Sequence, residues 1–177
     1  MEKEEIPMIH ITKRTPLKKV LEFGFECERD GKCCEFGGGF IIKDDIPRIS
    51  SYIGMTENQF KAKYLDPIVR FNTPGFKLKA RKTDKHYGPC IFLNNNKQCS
   101  IQKVKPLHCR IETCAEHGEA ISHWFTLNYH VNQSDPESIR QWAVFLKNHD
   151  TIPGGELHEL VPDEERLKKI LSYEILK

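Results

Sequence analysis

The sequence predicts an α+β fold: a single small domain of 177 residues with irregular cysteine-rich loops, a short antiparallel sheet and C-terminal helices. Three observations predict it. "GFKLKARKT" (75–83) and "ISHWFTLNYHVN" (121–132) alternate apolar and polar residues with the period of a strand face. Two segments nearer the C-terminus carry apolar stripes at helical spacing. Seven cysteines fall into two groups, within 27–34 and 90–114, inside stretches too irregular for long regular elements.

Residues 1–15 have no clear period and are expected as an arm or edge strand. "TPLKKVLEFGFEC" leads into the first cysteine group as a short helical turn or an extended entry. "GGGFIIKDDIPRISSYIG" reads as a glycine-rich turn, a strand Phe40–Ile42 and a helix. Asp44 or Asp45 is its cap, Pro47 suits its first turn and Gly54 its stop. Thr56 and Gln59 have capping-box spacing, so a second helix follows to about Leu65. Then comes a strand with Phe76, Leu78 and Ala80 on one face and Lys77, Lys79 and Arg81 on the other.

"CIFL" and "CSI" flank the turn-rich "NNNKQ", which predicts a hairpin with Cys90 and Cys99 near its ends. "IQKVKPLHCRIET" is a helical turn interrupted near Pro106. At 121–131 a strand is expected, with Ile121, Phe125, Leu127, Tyr129 and Val131 sharing a face. Asp135 caps the next helix, with Pro136 in its first turn and Ile139, Trp142, Ala143 and Leu146 as its stripe. The last helix begins acidic and ends basic, as the helix dipole favours, with Leu167, Ile170, Leu171 and Ile175 as its stripe. The predicted organisation is one domain, 1–177, with a cysteine-cluster region at 25–114 and a strand plus two helices at 115–177.

Charged residues make up 29% of the chain and the net charge is +2, an ordinary surface with no global pull toward nucleic acid or membrane. No apolar run approaches the roughly 18 residues of a membrane span. The opening "MEKEEIPMIH" is charged where a signal peptide has its apolar stretch, so a cytoplasmic location is expected. Structural disulfides are rare in a reducing compartment, and an odd cysteine count excludes complete internal pairing. Unrelated buried cysteines would not form two tight groups. Metal binding accounts for the grouping best, because thiolates are strong ligands for zinc and for iron–sulfur clusters.

The full pattern is Cys27-x5-Cys33-Cys34, then Cys90-x8-Cys99-x9-Cys109-x4-Cys114. It matches neither zinc-finger nor ferredoxin spacing, so it points to a metal without identifying it. "FECERDGKCC" followed by "GPCIFLNNNKQCSIQKVKPLHCR" resembles the YkgJ-type cysteine-cluster family, a zinc- or iron-chelating domain. The matching residues are Cys27, Cys33, Cys34, Gly88, Cys90, Phe92, Leu93, Cys99, Ile101, Pro106, Cys109 and Arg110. Lys105 stands where the family usually has Arg, and "IETC" after Arg110 departs from its pattern, so Cys114 lies outside the resemblance.

The candidate ligands are Cys27, Cys33, Cys34, Cys90, Cys99, Cys109 and Cys114, in metal-binding loops that hold an iron-sulfur cluster of the 4Fe–4S type or zinc. His117 is a weaker candidate, three residues beyond Cys114. Arg29, Lys32, Lys97, Lys105 and Arg110 adjoin the cysteines in sequence and offset thiolate charge; the resemblance singles out Arg110. "GGGF" at 37–40 lacks the Lys-Ser/Thr of a phosphate loop and reads as flexible backbone beside the cluster. Some proteins of the resembling family are described as flagellin lysine N-methylases, which implies S-adenosylmethionine and protein lysine methylation as an alternative. A second alternative is a metal-stabilised interaction module whose basic face, Lys77–Lys85, contacts a protein partner or, weakly, a nucleic acid. No membrane contact is expected.

Overall fold

The computed structural model describes residues 10–24 and 30–177, and the chain forms an α+β domain. The part of the N-terminal arm at 1–9 lies outside the described residues. Helix α1 (Leu17–Gly24) is followed by a 3-10 turn at Cys33–Glu35 and the two-residue strand β1 (Phe40–Ile41). Helices α2 (Asp45–Tyr52) and α3 (Glu57–Tyr64) come next, then strands β2 (Leu65–Arg70) and β3 (Thr73–Leu78). After the second cysteine region the chain is helical: α4 (Leu107–Ile111), α5 (Gly118–Tyr129), α6 (Pro136–Phe145), α7 (Leu157–Leu160) and α8 (Glu164–Leu171).

The caps read from the sequence operate at α3 and α6. Thr56 and Gln59 form a complete capping box, and the Asp135 carboxylate accepts from the Glu137 amide with Pro136 in the first turn. Asp44 is the N-cap residue of α2 but makes no side-chain cap bond.

The antiparallel sheet has the order β1-β3-β2. Strand β2 contains Pro67 and sits at an edge, where a missing amide donor is tolerated. Arg70 pairs with Thr73, so only Phe71 and Asn72 turn the hairpin, and both have positive φ (47° and 57°). Two left-handed residues are what a tight type I′ hairpin turn requires, usually as Asn-Gly. Phe71 is held there by its ring contacts with Trp142 (5.3 Å) and Phe145 (5.9 Å). The Asn72 amide donates to Gln141 Oε1 at 2.9 Å, and its side chain to Asp135 Oδ2 at 2.7 Å. The hairpin tip is thereby docked on α6.

Two cores result. One gathers α1, α4, α5, α6 and α8 around Phe125, Ile139 and Trp142; the other gathers α2, α3 and the sheet around Ile49, Phe60 and Leu78. Strand β1 serves both, because alternate strand residues face opposite ways: Phe40 packs on the helical core and Ile41 in the sheet core. Arg140 ties the C-terminus down, donating to the carbonyls of Ile170 (3.0 Å) and Ile175 (2.9 Å) while pairing with Glu137.

The expected strand at 121–131 is a helix, α5. The alternation is incomplete: Trp124 and Thr126, off the alternating face, are buried too. Ile121, Trp124 and Phe125 follow the i, i+3, i+4 helical spacing. The Trp124 indole donates to the Thr15 carbonyl at 2.9 Å, and Asn128 reaches the carbonyls of Lys13 and Trp124. A helix buried on most sides carries apolar residues around much of its circumference, and such a segment mimics strand alternation. The region 115–177 is therefore helical, with the short α7 also absent from the sequence expectation.

His130, at the C-terminal end of α5, packs edge-on against Phe40 and Phe125 at 4.9 and 5.3 Å. Burial, followed by the Arg70 charge, lowers its pKa to about 4. The unfolded chain then binds more protons between pH 6.5 and 4, so the stability that neutral His130 contributes is present above 6.5 and is lost as pH falls toward 4. It amounts to about 3 kcal/mol at most. Urea unfolding of wild type and His130→Gln across that interval checks this: the variant's stability should decline less steeply with acid.

Candidate metal centre

The adjacent pair Cys33-Cys34 is the first geometric problem, since neighbours on an extended chain point to opposite faces. The chain solves it with the 3-10 turn Cys33–Glu35, which leaves the two sulfurs 3.9 Å apart. The turn is entered through Gly31, at φ 76°, where an added Cβ would lie 2.6 Å from the Lys97 carbonyl. Lys97 in turn pairs with Glu35 at 2.8 Å, so the first cysteine group is seated on the loop of the second. A backbone bond joins the groups directly: the Cys90 amide donates to the Cys34 carbonyl at 2.7 Å.

The second group is built from short bridges. Cys90 pairs with Ala80 and Cys99 with Leu93, around the turn closed by the Asn94–Gln98 backbone bond. The hairpin expected between Cys90 and Cys99 is thus only its tip. Cys109 comes from α4, whose start is fixed from a distance. The buried Asp45 carboxylate accepts the Leu107 amide at 3.1 and 3.2 Å, and Arg48, paired with Asp45, donates to the Lys105 carbonyl at 3.0 Å.

Cys33, Cys34, Cys90, Cys99 and Cys109 line one cavity of about 610 Å3. Five thiols separated by up to 76 positions in the chain thus reach one space. Cys27 lies outside the described residues. Cys114 is exposed and is not part of the lining, and His117 packs its ring on Phe23 at 4.9 Å. Among the described residues no three His, Cys, Asp or Glu side chains are grouped closely enough to hold a metal ion as they stand, and none of the cysteines is in a disulfide.

The thiols share their surroundings electrostatically. The Cys34 hydrogen bond, then burial, pushes the Cys33 thiol up; burial does the same to Cys90, Cys99 and Cys109. Lys105 pulls Cys33, Cys99 and Cys109 back toward ionisation. Lys105 lines the cavity together with Lys97, and the Arg81 charge acts on Cys90 in the same sense. Arg110, singled out by the resemblance, is exposed on the far side of α4, where its carbonyl crowds Gly24. Glu112 also borders the cavity; burial raises its carboxyl and the Lys105 charge opposes the rise. His108 lines the cavity as well, its pKa lowered to about 4, first by burial.

Gly39 has no room for a side chain beside Cys109. A Cβ there would lie 2.3 Å from Cys109 Sγ and 3.1 Å from His108 Nδ1, whereas Gly37 has open space. Of the "GGG" run, Gly39 makes room for the thiol, and Gly38 is pressed against Leu78 in the same way. Gly39→Ala is expected to displace the Cys109 side chain and slow or shift thiol labelling at Cys109, while Gly37→Ala meets no neighbour and is strained only through its own φ of 144°. Mass-spectrometric footprinting with a thiol reagent checks it. The "GGG" run was a visible signal in the sequence; Asp45 and Glu112 carried none, because their roles depend on contacts with distant segments.

A family model described as "Putative zinc- or iron-chelating domain" matches residues 26–138. An uncharacterized protein of Methanocaldococcus jannaschii is 31% identical over 88 residues, which is 49% of this chain and 43% of that protein. The chain thus spans less than half the length of that relative. No solved structure matches the chain.

Proposed function

The chain belongs to the zinc- or iron-chelating family, and from that premise we propose that its clustered cysteines hold an iron-sulfur cluster, with zinc as the alternative. What carries the reading is the single cavity lined by five thiols, whose 610 Å3 is far more space than one ion needs. Sulfur predominates among the possible donors, with Asp30, His108 and Glu112 beside the five thiols, and thiolates suit iron–sulfur clusters and zinc. A lone zinc ion bound at about 2.3 Å draws four sulfurs tightly together, whereas a 4Fe–4S cluster takes each thiolate on a separate iron.

The proposed ligands are Cys33, Cys34, Cys90, Cys99 and Cys109, joined by Cys27 from the same motif. Cys114 is not among them. When bound, a cluster supplies one-electron transfer and zinc supplies a fixed structural node. The chain's own residues hold the two cysteine segments in register through the Cys90–Cys34 backbone bond, keep space for Cys109 at Gly39, and offset thiolate charge with Lys105. Among the described residues no helix is long and apolar enough to cross a membrane; a cytoplasmic setting is part of the proposal.

Metal analysis with an absorption spectrum, on protein purified without oxygen, tests the reading. Iron with acid-labile sulfide and broad visible absorption is the expected result. Stoichiometric zinc in a colourless protein would establish the alternative, and protein with neither metal would sink both.

A further inference from the structure

A second cavity, of about 410 Å3, adjoins the cysteine cavity and shares Phe36, Gly37, Gly38, Phe40 and Leu78 with it. Its far wall is the outer part of the β2–β3 hairpin, with Arg70 and Lys77, and a rim formed by His86 and Tyr87. Three features of this groove set it apart from an ordinary crevice.

The first is Arg70. Its guanidinium is half-buried over the Phe40 ring, 4.7 Å from the centroid, and 5.7 Å from that of Phe71. Among the described residues no carboxylate forms an ion pair with it and no hydrogen bond from its side chain is made. Half-buried cations are normally paired, because desolvating a charge without a partner is costly. The second is the sign of the lining: Arg70, Lys77 and His86 are present and no acidic residue is. The nearest carboxylate by register is Asp66, opposite Lys77 in the sheet, and it makes no ion pair with Lys77. The third is the rim, where Phe36 and Tyr87 meet at 5.2 Å between centroids while remaining 64% and 46% exposed. The two rings are tilted by 43° and the Lys85 ammonium lies 5.6 Å from the Tyr87 centroid, so the rim offers exposed apolar ring surface, most of it from Phe36, beside the cations.

We propose that this groove binds a small organic oxyanion with a planar body, its phosphate or carboxylate on Arg70 and Lys77 and its ring against Phe36 and Tyr87. The groove has the size of a small-molecule site. Arg is suited to planar oxyanions because its donors form a fixed fork. The shared Gly37–Gly38 floor places such a ligand next to the cysteine cavity. The inference does not rest on which metal the cysteines hold.

The test is calorimetric titration of the metal-loaded full chain with AMP and with benzoate, which separate a phosphate from a carboxylate head. Adenosine and inorganic phosphate serve as controls lacking the charge or the ring. The expected result is saturable binding of AMP or benzoate, at least about tenfold tighter than the corresponding control. Arg70→Gln should abolish it, with the melting temperature and metal content retained. If Arg70→Gln fails to fold, Lys77→Gln, at an exposed strand position, should weaken binding severalfold. No saturation by either probe at millimolar concentration would overturn the proposal. So would affinity unchanged in a folded Arg70→Gln or in Lys77→Gln, or inorganic phosphate binding as tightly as AMP when benzoate does not bind.

Discussion

Cys109→Ser is expected to lower metal affinity by more than about 100-fold, beyond the 10–100-fold typical of changes next to a ligand. It is also expected to loosen the segment 88–110. Cys109 is the contribution of α4 to the cavity, beside the bridge-held Cys90 and Cys99 that line it too. Its sulfur occupies the space that Gly39 leaves open. A hydroxyl in that place is a poor ligand for a soft metal. Where a site does not exist in the unfolded chain, binding free energy becomes folding free energy, so the loss spreads to the short bridges that the metal would hold. Metal content after dialysis against a chelator, with hydrogen exchange over 88–110, reads both effects. Cys114→Ser should leave metal content unchanged, since Cys114 is exposed and outside the cavity. Equal metal in wild type and Cys109→Ser would count against the whole centre.

Asp45→Ala is expected to destabilise the fold by about 3–5 kcal/mol, as breaking a buried ion pair by removing one partner does. The Asp45 carboxylate is almost fully buried and accepts from the amides of Ile42 and Leu107 while pairing with Arg48. Burial raises its carboxyl, and the two amides and Arg48 oppose that rise. Alanine leaves a buried Leu107 amide without its acceptor and Arg48 without its counter-charge. Because Leu107 opens the helix that carries Cys109, the damage reaches the cavity, and metal affinity should fall about 10–100-fold. Asp45→Asn keeps an oxygen for the amides and loses only the charge, so it should cost less on both counts. Urea unfolding and chelator competition separate the two readouts; an alanine variant as stable as wild type would show that the α2–α4 link is not what fixes Cys109.

Much of the fold could be read locally. The capping box at Thr56–Gln59 and the Asp135-Pro136 start depend on neighbours within one turn, so they survive in any tertiary setting. The β2–β3 hairpin was hidden because its turn is Phe71-Asn72 in place of Asn-Gly. That backbone is held by packing on Trp142 and Phe145 from seventy positions away. The α5 helix was misread for the opposite reason: burial on most sides put apolar residues at both strand and helix periods, and only the neighbours decide between them.

For the centre, the grouping of the cysteines alone pointed to a metal site, because thiolates gathered in two tight groups are strong metal ligands. Residue order cannot say which cations border those thiols, and the tertiary structure puts Lys105 and Lys97 on the cavity where the resemblance favoured Arg110. Nor can it say which thiol stays outside, as Cys114 does. The place of Cys109 is decided by α4, which starts at the Asp45 carboxylate and brings Cys109 to the cavity while Arg110 is exposed. A helix face is a property of packing, and it exists only once the distant segments have met.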